Sequence, residues 1–220
     1  MRLRTPALAL LVASSLAVAG CGGDDETTTT TAASTPTTTA ATTSATTATP
    51  SGDAIDTADA SFASPSGWKQ AGADQRKQIE SSTAASGLEP LAILLPDGSS
   101  SSQPRSVLLV AKKAAPGAQA ESDKDFEAFK KAVKSGFDSA ARAGGTQGGA
   151  TLEGDTEVAG AKALVLSFTQ KSGSTELTHR QIIVAKGDAA YYLQATVPDS
   201  SQAGAARDAL EQIRSSWQWK

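Results

Sequence analysis

An α+β fold is predicted for this chain: an α/β/α sandwich with a mainly antiparallel sheet of about six strands and helices against it. Three observations lead there. Gly160 to Val197 contains three runs rich in β-branched and aromatic residues, broken at Lys171–Ser174 and Lys186–Asp188 by short Gly-containing turns, the pattern of an antiparallel meander. The first run is apolar on both sides, with Leu164, Leu166 and Phe168 on one face and Ala163 and Val165 on the other, so something must pack on each face of the sheet. Two helical stripes, Phe126, Phe129, Val133 and Phe137, then Ala206, Leu210, Ile213 and Trp217, supply the covering layers.

The chain begins with a processing segment. Arg2 and Arg4 give a positive start, and Ala7 to Val18 form an apolar run. That run is shorter than the ~20 residues a membrane-spanning helix needs. Val18-Ala19-Gly20-Cys21 follows, an aliphatic residue, two small residues and a cysteine, which matches a bacterial lipobox. Residues 1–20 read as a lipoprotein signal peptide, and Cys21 as the thiol that takes the diacylglyceryl group. Two or more acyl chains, at ~0.8 kcal/mol per buried methylene, would hold the protein stably on the membrane. The expected location is the extracytoplasmic face of the cell membrane.

Residues 21–60 read as a disordered tether. Thr27 to Pro50 is almost wholly Thr, Ala, Ser and Pro, and Ile55 is the only aliphatic larger than Ala, so little offsets the entropy of ordering. About 40 such residues have an r.m.s. reach of roughly 35 Å as a flexible coil. The Thr-rich composition suits either O-glycosylation or an unmodified spacer.

Residues 61–220 read as one globular domain. Phe62-Ala63-Ser64-Pro65-Ser66-Gly67-Trp68 predicts a strand, a turn and a tryptophan entering the core. Ala73 to Ala85 suits a short helix. Leu91–Leu95 and Ser106–Lys112 are strand-like runs flanking a Ser/Gly-rich loop, Asp97–Gln103. Ser122 is placed to cap the first amphipathic helix, with Asp125 three residues on, and Gly144-Gly145 to end it. Thr151–Val158 predicts an edge strand before the meander. Tyr191, Leu193, Ala195 and Val197 point one way in the third run, and Tyr192, Gln194 and Thr196 the other. The last helix should be capped near Asp199 or Ser200.

The Pro-x-Gly-Trp start, the helix before a Gly-rich link, the Gly-x-x-Ala entry at Gly160–Ala163, the Gly-Asp-Ala-Ala-Tyr-Tyr-Leu return and the terminal helix ending in Trp217 together resemble the PsbP-like fold. With the lipobox and Thr-rich tether, the chain is similar to actinobacterial LpqN-type lipoproteins. The resemblance covers residues 61–220 and is one of pattern. It implies a noncatalytic binding or assembly role, and carries no site residues across.

Composition narrows the chemistry. The formal charge of −3 becomes −5 once Arg2 and Arg4 leave with the signal, which argues against a nucleic-acid partner. Cys21 is the only cysteine, so thiol catalysis, disulfides and Cys-rich zinc sites are excluded, and His179 as the only histidine excludes multi-histidine metal sites. His179 lies mid-strand with no Gly-x-Ser-x-Gly elbow to supply a nucleophile, and reads as structural or solvent-facing. Glu153, Asp155 and Glu157 alternate and should share one strand face, as a solvated acidic edge or a Ca²⁺ patch. Gly144–Gly149 lacks the Lys-Ser/Thr of a phosphate loop and reads as a linker. Trp219 is the aromatic expected to be exposed.

The function expected is therefore a noncatalytic, monomeric binding module, with no cofactor or metal, held at the membrane by its lipid anchor and engaging an envelope protein, glycan or lipid. A carboxylate hydrolase and an assembly factor are the alternatives. Recognition is expected in loops on the rigid sheet: Ser100 in Asp97–Gln103, Ser172 in the Lys171–Ser174 turn, and Trp219.

Overall fold

The computed structural model describes residues 52–84, 86–99, 106–115, 120–142, 147–172, 175–198 and 200–220. In chain order these form β1 (Ala54–Asp56), β2 (Ala60–Ala63), β3 (Trp68–Gln70), α1 (Ala73–Ala84), β4 (Glu89–Pro96), β5 (Val107–Ala114), α2 (Asp123–Arg142), β6 (Gln147–Val158), β7 (Ala161–Ser172), β8 (Thr175–Lys186), β9 (Ala189–Val197), α3 (Ala203–Ser216) and β10 (Gln218–Trp219). A 3-10 turn, Ser200–Gln202, leads into α3.

Seven strands make the main sheet in the order β3-β4-β5-β9-β8-β7-β6, and every pairing is antiparallel. The sheet has one strand more than expected, because Trp68–Gln70 pairs with Pro96–Leu94. The meander is β7-β8-β9, with β6 as its edge strand. It is built on hairpins: at the β6–β7 turn Ala159 (φ 45°) and Gly160 (φ 77°) are both left-handed, the pair of conformations a two-residue hairpin turn requires.

The two sheet faces hold separate cores. Leu164, Leu166, Phe168, Ile183 and Tyr192 meet α1 through Ile79 and α2 through Phe126, Phe129, Val133 and Phe137. On the opposite face Val165, Ile182, Val184, Tyr191, Leu193 and Val197 meet Ala206, Leu210, Ile213 and Trp217 of α3. Both helical stripes thus bury as their spacing predicts. The cap of α2 is also as expected: Ser122 Oγ accepts from the Asp125 N–H at 3.1 Å.

A second, three-stranded sheet, β1-β2-β10, lies on the α3 side. It corrects the expected start of the folded part at Ser61. Ile55 is buried at 4% exposure and pairs with Phe62, so one aliphatic residue in a polar run is enough to seat a strand on an existing surface. Trp68 is only partly buried, against the α3-side core. Helix α3 also starts later than expected, with Gln202 as its N-cap. The remainder of the expected tether, the Gly144-Gly145 stop and Asp199 lie outside the described residues.

Candidate functional site

The strand registers put the β4–β5, β7–β8 and β9–α3 connections at one end of the main sheet and the β6–β7 and β8–β9 turns at the other. Two of the loops chosen from sequence, Asp97–Gln103 and Lys171–Ser174, therefore share an end. Ser172 sits there, paired with Thr175. Ser100 lies outside the described residues, as does Cys21. Trp219 is at the far end, roughly the length of a 12-residue strand away. Its ring is partly buried against Tyr191 and Trp217, centroids 5.0 and 5.2 Å away. Its indole N–H donates to the Val158 carbonyl at 3.2 Å, and Lys186 Nζ sits 5.1 Å over its ring. Trp219 thus spends its polar atom and much of its surface inside the protein.

A cleft of about 290 Å³ opens at the loop end, between the first turns of α3 and strands β7, β8 and β9. Ser167, Thr178, Arg180, Ala195 and Val197 line it from the sheet, Glu153 from β6, and Ala203, Gly204, Ala206 and Arg207 from α3. Small side chains on both walls create the space. Strand alternation then aims Thr178 and Arg180 at α3, because Ile182 and Val184 on the same face form part of the α3-side core.

Glu153 arrives by a different device. The β6–β7 register shifts between Leu152 and Gly154, and Gly154 takes φ 148°, a backbone that suits glycine. Glu153 is the extra residue of this bulge and turns toward α3, where its Oε2 accepts from Arg180 Nε at 2.9 Å. Asp155 turns the other way and meets Lys130 of α2 at 2.8 Å. This overturns the shared acidic face expected for Glu153, Asp155 and Glu157, since the bulge resets the alternation. Among the described residues no group of three or more acidic, His or Cys side chains is placed to hold a metal.

The guanidinium of Arg180 bridges two carboxylates, Glu153 and Glu211, the latter at 3.2 Å. Glu211 also accepts from Arg214 at 2.6 Å. Burial pushes the Glu211 carboxyl up, but the hydrogen bonds and charges of Arg214 and Arg180 outweigh it and hold it below the usual carboxylate range. Arg207 is looser. It touches Glu153 at 4.0 Å, and its side chain is 61% exposed.

His179 borders the cleft, but its ring belongs to the opposite face, stacked on Phe168 with centroids 4.5 Å apart and an interplanar angle of 7°. A chain of polar side chains leads to it. Gln181 Nε2 donates to Gln194 Oε1, whose amide nitrogen lies 2.9 Å from Thr196 Oγ1 and 3.2 Å from His179 Nδ1. Thr196 Oγ1 is 3.0 Å from the same Nδ1. Nδ1 thus faces both Gln194 and Thr196, while Nε2 is buried and has no hydrogen-bond partner among the described residues. Burial lowers the His179 pKa to about 4, so the ring is neutral near pH 7. The reading of His179 as structural fits this placement, on the buried side rather than the solvent side.

Sequence reasoning passed over Arg180, Arg207 and Gly204. One signal was available: Arg180 is a charge within a strand otherwise built to be buried, and such a residue demands a partner.

No family model matches the chain, and no curated protein sequence matches it. Solved structures do. The chain is similar to LpqN of Mycobacterium tuberculosis, described as involved in cell envelope biogenesis, at 12% identity over 73% of this chain and 83% of that one, with a TM-score of 0.46. It is similar to the cyanobacterial PsbP of Synechocystis sp. at 13% identity over 73% and 86%, with a TM-score of 0.43. A Bacteroides thetaiotaomicron protein aligns at 12% identity and a TM-score of 0.40, over 73% of this chain, which spans 45% of that protein's length.

Proposed function

We propose that this chain is a lipid-anchored, extracytoplasmic binding module that works without catalysis. The observation that carries the binding role is the cleft. Two of its ionisable groups, Arg180 and Glu153, are paired with each other, and Arg180 is held as well by Glu211 of α3 outside the lining, in the manner of a recognition surface. A hydrolytic reading would need two carboxylates free to act as acid and base, or His179 as base. Glu153 and Glu211 are both bound to the guanidinium that separates them, and the His179 ring lies across the sheet from the cleft. The anchor rests on Val18-Ala19-Gly20-Cys21, with the Thr-rich run after it as the tether that lets the domain search for a partner. Among the described residues no helix is long and apolar enough to cross a membrane.

Two measurements test this reading. Cells fed a clickable fatty acid should label the wild type and leave Cys21→Ala unlabelled; equal labelling would sink the anchor. Crosslinking in intact envelopes should capture a reproducible partner, whereas turnover of an envelope substrate that Glu153→Gln abolishes would replace the binding module by an enzyme.

A further inference from the structure

We propose that the cleft at the start of α3 binds an oxyanion, a carboxylate or a phosphate, carried on a polar body about the size of one sugar residue, and that Arg207 is the clamp on the anion. The inference rests on the reading of the chain as a binding module and adds the chemistry of the ligand.

Charge is the first argument. The linked network holds three guanidiniums, Arg180, Arg207 and Arg214, against two carboxylates, Glu153 and Glu211, and so carries one unbalanced positive charge. Arg180 is committed, with its side chain only 16% exposed and a carboxylate at both of its contacts. Arg207 is the member that can change partner. Glu153 can stay on Arg180 at 2.9 Å while Arg207 leaves its 4.0 Å contact and closes on an incoming oxyanion. A planar guanidinium suits either head group, because its paired N–H donors match two oxygens of a carboxylate or a phosphate.

The helix adds to the same field. The N-cap residue Gln202 makes no side-chain cap hydrogen bond, and its Oε1 instead accepts from the hydroxyl of Ser106, the residue before β5. The 3-10 turn Ser200–Gln202 runs straight into α3, which puts Ala203 and Gly204 on the cleft wall near the positive end of the helix dipole. A Cβ at Gly204 would meet nothing within 4 Å, so the backbone can be approached closely there.

The remaining walls suit a polar body. Ser167 and Thr178 offer hydroxyls, and Ala195, Val197 and Ala206 give an apolar floor for one ring face. The volume of about 290 Å³ is at the small end of ligand pockets and fits one ring rather than a chain.

The test is an NMR and calorimetric titration of the full chain with glucuronate, glucose 6-phosphate and neutral glucose, beside acetate and inorganic phosphate alone. One or both charged sugars should shift the amides of Thr178, Arg180, Ala203 and Gly204, and bind at least tenfold more tightly than glucose. The tighter of the two names the head group. Arg207→Gln should weaken that binding tenfold or more with an unchanged thermal midpoint, since this side chain is largely exposed. Gly204→Leu should block the cleft, while the helix gains a better former at that position. Glucose binding as well as its charged relatives, indifference to Arg207→Gln, or no shift from any probe at about 10 mM would each overturn the proposal. None of these failures bears on fatty-acid labelling or envelope crosslinking, so the binding-module reading stands or falls separately.

Discussion

Arg180 and His179 are adjacent in sequence and face opposite sides of the sheet, so each meets a different solvent problem. Arg180 is held by carboxylates, while His179 is packed away from water, and burial favours its neutral form. The sign of the resulting pH dependence follows from linkage. The folded pKa of about 4 lies below the ordinary 6.5, so the unfolded chain binds a proton first and stability falls as the pH drops from 6.5 toward 4. Between pH 7 and pH 5 the loss should be about 2 kcal/mol, read from urea midpoints. His179→Gln should flatten that window, and an unchanged slope would show that carboxylates elsewhere dominate it. On the same face, Phe129 is 5% exposed in the stripe of α2. Phe129→Ala should cost on the order of 3–5 kcal/mol in the same measurement.

Two glycines separate what the elements ask of the backbone. Gly154 is the pivot of the β6 bulge at φ 148°, where an L side chain is strained. Gly154→Ala should cost about 1–3 kcal/mol and release Glu153 from Arg180. Gly204 lies in a helical turn with open space around its missing Cβ. Gly204→Ala should raise stability by about 0.5–1 kcal/mol, because alanine is the better helix former. Opposite signs in chemical denaturation would confirm the pair. This contrast also marks what the sequence could disclose. The long elements were legible: β7, β8 and β9 by their alternation, α2 by Phe126, Phe129, Val133 and Phe137, its start by Ser122. Strands β1, β3 and β10, two or three residues each, are too short for any period to register. The bulge was hidden because a register shift belongs to a pair of strands, and Glu153–Asp155–Glu157 taken alone shows only alternation. The cleft was hidden for a related reason. Arg180 reaches partners 27 and 31 residues away, a pairing that no local window contains.

At the scale of the whole molecule the folded unit is closed by its own ends. β2 lies between β1 and β10, so the first and last strands share one small sheet. Phe62 stacks on Trp217 at 5.2 Å, the Lys220 N–H donates to the Asp59 carbonyl at 3.0 Å, and Asp59 pairs with Lys112 of β5 at 2.9 Å. A chain beginning at Gly52 should therefore melt as the longer protein does. One beginning at Ser61 should lose the burial of Ile55 and the Asp59 contact, about 3 kcal/mol together, and melt roughly 6 °C lower. Equal melting of the two would show that β1 adds nothing to the fold. The position of β1 also sets how the molecule meets mechanical load. A pull on the chain from before residue 52 arrives at Asp53, whose carbonyl accepts from the Ser64 N–H at 2.9 Å, and then at the three paired residues of β1. That strand is at the edge and can peel away, letting out about 25 Å of chain from residues 52–59. β2, braced by β10 and by the Phe62–Trp217 stack, is loaded only afterwards. The first strand is thus the margin that tension reaches first, and its release uncovers Ile55 at the border of the α3-side core while β2 stays held by β10.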